Sequence, residues 1–285
     1  LQLVHEAALC HTGIRRHRAL SQRGFELLNG LPFLATDRAI HELLAQHTVA
    51  EAQGLQRALG CLRRACGHFA GHRLAVDPHR FRSYSKRQMR RHLQDNHSKP
   101  VKMAQTFFAI DADTHQPLCF VTGTASRTVT QATPELLKLA AEILQPQPHQ
   151  TLVLADAEHF TAELVDEIHE QTDFDLLVPL PDQPALQQKL RAMPPEAFTR
   201  HWAGYATAKL PYQLKRAEHG PFYQLVQRTG ERPEEWRFKA FLATADREEV
   251  TLLTRDFPNA GTSKSSSTPI RPTAGSGPEP ATSTS

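Results

Sequence analysis

Two short apolar runs, each stopped by an aspartate, dominate the hydrophobic pattern of this chain. Thr151-Leu-Val-Leu-Ala-Asp156 lies between a Pro/Gln/His-rich loop and a helical pattern, which predicts a buried strand. His72-Arg-Leu-Ala-Val-Asp77-Pro78 has the same form, with Pro78 expected to close the strand behind it. Between them, Gln105–Asp111 and Pro117–Gly123 read as two strands joined by a hairpin-length loop. Thr133-Pro134-Glu135 reads as a helix start, with Thr133 as N-cap and Pro134 at the first position. Leu136, Leu137, Leu139, Ala140, Ile143 and Leu144 supply its apolar stripe. A second amphipathic helix is expected over Thr161–Gln171, with Leu164, Val165 and Ile168 inward, followed by a buried strand at Phe174–Leu180.

On either side of this central block the pattern changes. Residues 1 to 70 carry apolar residues at helical spacing, Ile40, Leu43 and Leu44 and then Val49, Ala52, Leu55, Leu59 and Leu62, with arginines 15, 16, 18, 63 and 64 around them. They read as a helical bundle with a solvated basic face or as a module gripping DNA phosphates. His41 and His47 lack a helical ligand spacing and are assigned to surface or packing. Residues 181 to 220 are Pro- and Gln-rich and read, together with the strands Tyr223–Gln227 and Phe238–Thr244, as an insertion over about 181–245. Trp202 and Trp236 are assigned to packing. A helix start at Glu248 and Glu249 breaks at Asp256-Phe-Pro-Asn259. From Ala260 to Ser285 the composition is Ser/Thr/Pro/Gly, with Ile270 the one large apolar residue, which predicts a disordered tail.

Composition narrows the function classes. The chain has 285 residues and a formal net charge of +3, so an argument for nucleic acid depends on where the charge lies. It lies in Arg80-Phe-Arg-Ser-Tyr-Ser-Lys-Arg-Gln-Met-Arg-Arg-His92, where Phe81 and Tyr84 interleave Arg80, Arg82, Lys86, Arg87, Arg90 and Arg91. A charge run is commonly a solvated face. Directly after a candidate catalytic carboxylate it also suits a polyanionic substrate, so these six are the candidate DNA contacts. Cys10, Cys61, Cys66 and Cys119 fit no zinc spacing and read as reduced thiols of a cytosolic protein. No membrane partner is expected. Neither a transmembrane-length run nor a signal-peptide pattern occurs, and the opening on Leu1 in helical-looking sequence suggests a piece of a longer product.

The element order, three strands, helix, strand, helix, strand, predicts an α+β fold with a ribonuclease H-like mixed sheet core and helices, preceded by the helical region. In that arrangement the ends of the first and fourth strands are neighbours, which brings Asp77 and Asp156 together as metal ligands. Asp111 is the alternative first acid, at a hairpin tip pointing the other way.

These residues resemble the DDE-type transposases of bacterial insertion sequences. The resemblance runs from about Gly71 to Asn259 through Leu-Ala-Val-Asp77-Pro-His-Arg, Gln-Thr-Phe-Phe-Ala-Ile-Asp111 and Val-Leu-Ala-Asp156-Ala-Glu-His-Phe. It implies catalytic and metal-binding roles for Asp77 and Asp156, Mg2+ or Mn2+ as cofactor, transposon-end and target DNA as partners, a homodimer when active, and location at the bacterial nucleoid. His159, Glu158 and Arg80 are assigned to core or surface first and to substrate contact second. The family completes its site with a Glu in a pattern of Tyr or Phe, two residues, Arg, three residues, Glu. Phe257-Pro-Asn259 begins that pattern, and the tail does not continue it.

The genetic code offers a reason. Ala260–Thr268 can be encoded GCT GGC ACA TCG AAG AGT TCT TCA AC. With one C placed before it, the same bases read Arg-Trp-His-Ile-Glu-Glu-Phe-Phe-Asn, which completes the pattern directly after Phe-Pro-Asn. The expectation is therefore an out-of-frame translation of the helix bearing the third acid, and a chain with very low catalysis. A catalytically inactive DNA-binding fragment and a ribonuclease H-like nuclease outside transposition are the alternatives.

Overall fold

The computed structural model describes residues 36–84, 88–89, 91–92, 99–124 and 126–260. By its internal contacts the chain divides into residues 1–56 and 57–285. In the first unit, α1 (Asp37–Gln46) starts at Thr36, whose side chain accepts from the Ala39 amide. Ile40 is buried there, whereas Leu43 and Leu44 are exposed. Of the helices expected over residues 1 to 70, those before Thr36 fall outside the described residues. The next helix, α2 (Val49–Ala65), crosses the division. Its expected inward stripe is exposed at Val49, Leu55, Leu59 and Leu62.

The second unit is built on one mixed sheet. Its strands are β1 (Arg73–Arg82), β2 (Arg91–His92), β3 (Val101–Asp111), β4 (Gln116–Thr124), β5 (Leu152–Leu154), β6 (Asp175–Pro179), β7 (Thr199–Trp202), β8 (Tyr205–Tyr212), β9 (Phe222–Thr229) and β10 (Arg237–Ala243). They lie in the order β2-β3-β1-β5-β6-β10-β9-β8-β7, with β4 on β3. β1, β3 and β4 pair antiparallel, and β5 and β6 run parallel to β1. This is the expected ribonuclease H-like arrangement. The strands from 199 onward extend it through the antiparallel pairing of β10 on β6.

Side-chain alternation gives the sheet two cores. Leu74, Val76, Val153, Leu176 and Val178 enter the larger one with α3 (Val129–Leu144) and α4 (Ala162–Gln171). Ala75, Leu152, Leu154 and Leu177 enter the smaller one with Leu225, Phe241, Leu252 and Leu253. Leu136, Leu137, Ala140 and Ile143 of α3 are almost wholly buried, and each Leu or Ile so covered contributes about 1.5–3 kcal/mol. The C-terminal half of α2 is fastened onto α3. A Cβ on Gly60 would come within 2.7 Å of Ile143, Arg57 pairs with Glu142, and Arg64 donates to the Leu144 carbonyl at the end of α3. Arg63 donates to the Pro117 carbonyl and the Gln116 side chain, so the guanidinium groups of Arg63 and Arg64 serve packing.

Three sequence-based boundaries move. Pro78 does not close β1, which continues to Arg82. The pairing of β1 with β5 ends at Ala75, so beyond it β1 is an edge, where a residue without N–H is tolerated. α3 starts a turn earlier than expected. Thr128 and Gln131 form a reciprocal capping box, Pro134 lies inside the helix, and Thr133 is buried instead of capping. The C-terminal helix does not break at Asp256. It passes from Glu249–Thr251 through a π-helical turn, Leu252–Asp256, into Phe257–Ala260, and the wide turn makes room for the ring of Pro258. The expected disordered tail from residue 261 onward falls outside the described residues.

Candidate active site

The register of β1 on β5 is the starting point for the site. Its last recorded pair is Ala75 with Leu154, and two residues further along each strand are Asp77 and Asp156. Asp156 keeps an extended backbone, φ −88° and ψ 177°, before the chain turns. With a side-chain period of two, both aspartates fall on the face of Ala75 and Leu154, the smaller core. Leu252 and Leu253 belong to that core and Phe257 packs against it, with the Phe257 ring 4.8 Å from that of Phe241. The C-terminal helix therefore lies on the same face as both carboxylates.

Local chemistry holds Asp156 in place. It caps the short 3-10 turn Ala157–His159, its Oδ1 accepting from the Glu158 amide at 3.1 Å and lying 2.8 Å from His159 Nδ1. His159 is buried and Asp156 is part-exposed, which makes the histidine a core residue that orients the carboxylate. Glu158 reaches Arg80 at 3.3 Å, a solvent-exposed pair showing that the segments following the two aspartates meet.

Asp111 has a different task. It is fully buried opposite Leu74, at the start of β1 and three positions before Asp77. Its Oδ1 accepts from the amides of Asp113 and Thr114, and its Oδ2 from that of Gly71. It organises the hairpin tip.

The candidate DNA residues separate by face. Arg80 and Arg82 are exposed on β1 and alternate away from Asp77, whereas His79 and Phe81 share its face, their rings 6.3 Å apart. Arg91, opposite Lys102, returns to the face of Asp77. Lys102 carries no signal in the sequence, because it sits in an apolar run eleven positions downstream of Arg91. Lys86, Arg87 and Arg90 lie outside the described residues. Trp236 is part-buried, and Trp202 is half-exposed and stacked on Tyr205, ring centroids 4.3 Å apart.

Two oxygen-bearing carboxylates, each two residues beyond the last pair of two adjacent strands, suit a hard divalent cation in the chemistry of their donors. Among the described residues no group of three potential ligands is assembled. No helix among them is long and apolar enough to cross a membrane. Cys119 is buried in β4, where burial pushes its thiol up to about 12, and Cys61, Cys66 and Cys119 are free thiols.

Residues 69–259 match the family model described as "Transposase DDE domain". No curated protein matches the chain. Among solved structures, a piggyBac transposase synaptic complex with hairpin DNA is similar at 10% identity and a TM-score of 0.45, covering 92% of this chain and 57% of that one. A Mos1 mariner paired-end complex with Mn is similar at 13% identity and a TM-score of 0.26, covering 64% and 59%. Endonuclease V of Ciona intestinalis, in complex with inosine-containing DNA, is similar at 10% identity and a TM-score of 0.27, covering 75% and 87%. The chain spans less than two thirds of the length of those two transposase chains.

Proposed function

The chain belongs to the DDE transposase domain family, and from that premise we propose that it is the DNA-cleaving core of a bacterial insertion-sequence transposase, with Asp77 and Asp156 as its metal-binding acids. The observation that carries this reading is the position of the two aspartates, each two residues beyond the last pair of β1 with β5, on the face against which the C-terminal helix packs. Their carboxylates would hold Mg2+ or Mn2+. When bound, such ions supply an activated water and neutralise a departing 3' oxygen. The protein's own part is to fix the Asp156 carboxylate, through His159 and the capped turn, and to lay the DNA backbone across Arg91 and Lys102 on the face of Asp77.

The third acid belongs, on this reading, to the continuation of the helix that reaches Ala260. In the shifted frame it is the first Glu of Arg-Trp-His-Ile-Glu. Sequencing the encoding DNA across the codons for Asn259 and Ala260 tests this directly. An open frame with those five residues supports it, and a frame that closes at once sinks the frameshift. The chain as it stands is then expected to bind transposon-end duplex with Mg2+ and to leave it uncut. Nicking at a rate that Asp156→Ala abolishes would overturn the expected inactivity.

A second reading is a catalytically silent DNA-binding fragment that competes with an intact transposase, active as a homodimer at the nucleoid. The exposed Arg80, Arg82 and Arg91, which can contact a phosphate backbone without a metal, favour it. End-specific binding that inhibits the intact enzyme distinguishes it from a general ribonuclease H-like nuclease, which would cut without end specificity.

A further inference from the structure

Arg228 on β9 is the least satisfied cation in the described part of the molecule. Its guanidinium lies between two rings, 4.5 Å from the Phe198 centroid and 4.1 Å from that of Trp236, and its Nη1 is buried with no hydrogen-bond partner among the described residues. Burial lowers its pKa from the ordinary arginine value, yet arginine stays charged at any physiological pH. A buried guanidinium nitrogen without an acceptor is costly, and an anion is the group that satisfies it. The arginine lines a cavity of about 380 Å³, together with Arg200, Trp202, Glu231, Arg232 and Trp236. Three arginines and one glutamate thus line it.

The register fixes where this cavity lies. Thr229 of β9 pairs with both Arg237 and Tyr205, and Phe241 of β10 pairs with Pro179 at the end of β6. Thr229, Arg237 and Tyr205 thus share the end of the sheet that carries Asp77 and Asp156, whereas Arg228, paired with Phe238 and Ala206 of the larger core, points to the face opposite the two aspartates. A second cavity, about 800 Å³, begins at Ala157 beside Asp156 and is lined by Arg191, Arg237 and Lys239 as far as Trp236. Trp236 lines both cavities. From β5 to β8 there are four strand steps, about 20 Å at the usual strand spacing.

The geometry points to a phosphate-binding pocket at Arg200, Arg228 and Arg232 that grips the backbone of duplex DNA where it passes the carboxylate end of the sheet, on the face opposite the two aspartates. This rests on the DNA reading above and adds a second anchor, separate from the basic residues of β1 and β2. Stacking between Phe198 and Trp236 presents the planar guanidinium in one orientation, so little freedom is lost when a phosphate oxygen arrives.

The test uses the intrinsic fluorescence of the full chain, because its two tryptophans, Trp202 and Trp236, both line the pocket. Titration with a transposon-end duplex is expected to change tryptophan emission with the same midpoint as DNA anisotropy. Arg228→Gln should weaken binding about tenfold and reduce the slope of log affinity against log salt by about one. Arg228→Lys, which keeps the charge and loses the planar stack, should fall between. Should Arg228→Gln disturb folding by circular dichroism, the exposed double variant Arg200→Gln/Arg232→Gln asks the same question. Binding by anisotropy with silent tryptophans and unchanged salt slopes in these variants overturns the pocket while leaving the DNA reading intact. A wild-type chain that fails to bind DNA overturns both, as does an emission change with inorganic phosphate and none with duplex.

Discussion

Asp156 owes its orientation to a neighbour three residues away. With His159 buried at its Oδ1, the carboxylate is preset before any cation arrives. We expect Mn2+ titrated into the chain, followed by electron paramagnetic resonance, to bind weakly because the ligand set is short. Asp77→Asn or Asp156→Asn should remove that binding, and Asp111→Asn should leave it in place while lowering thermal stability. Equal metal loss in all three would refute the assignment of Asp111 to the hairpin tip. Arg73 makes a second residue-scale prediction. It joins the start of β1 to Asp113 and to Asp256 of the C-terminal helix, and its pKa is raised chiefly by the hydrogen bond to Asp113. Arg73→Met removes the ion pair of Asp113 and leaves Asp256 with Arg255 alone, and should cost about 3 kcal/mol, measured by urea unfolding. A double-mutant cycle with Asp256→Asn should show coupling.

At the scale of elements, the C-terminal helix begins on Glu248, whose carboxylate accepts from the amides of Val250 and Thr251. The Thr251 side chain, foremost, and these amides hold the Glu248 carboxyl below its ordinary value of 4.5. A depressed carboxyl pKa contributes stability that is complete above the unfolded value and lost as pH falls through the lower folded one. Helix protection near Leu252 and Leu253 in hydrogen exchange should therefore be constant above about pH 5 and decline below pH 4.5, and Glu248→Gln should flatten that decline. The same helix shows how far sequence pattern reaches. The three antiparallel strands, β5, α4 and β6 were legible because each is a clean apolar run or stripe. The passage through Phe257-Pro258 was not, since a proline reads as a stop unless a π turn precedes it. α5 (Pro184–Arg191), β7 and β8 were also missed. The alternation of Tyr205-Ala-Thr-Ala-Lys-Leu is masked by small residues, and α5 hides in a Gln-rich segment. At the site, Asp77 and Asp156 could be paired by element order, but the faces of Arg80 and Arg91 needed the register. Gly60 offers a packing test, for Gly60→Val would drive a side chain into Ile143 and should lower the melting temperature by several degrees.

On the scale of the whole molecule, the face around Asp77 is only partly covered. Phe108, cross-strand from Asp77, shares that face with Phe120 and Phe81, and the last two are 41% and 44% exposed. Apolar surface of this kind beside a polar site marks a place where something packs. Under the proposed reading the occupant is the continuation of the C-terminal helix, whose shifted-frame sequence brings Trp, Ile and two Phe next to the third acid. Restoring that frame from residue 260 should then do two things at once. It should raise the melting temperature, because covering aromatic rings contributes about 1.5–3 kcal/mol each. It should also convert weak Mn2+ binding into tight binding that Asp77→Asn and Asp156→Asn abolish. A restored chain with higher stability and unchanged metal affinity would keep the helix as the cover of this face and remove its Glu from the site. Unchanged stability together with tight metal binding would place the acid there and leave Phe81 and Phe120 for the DNA.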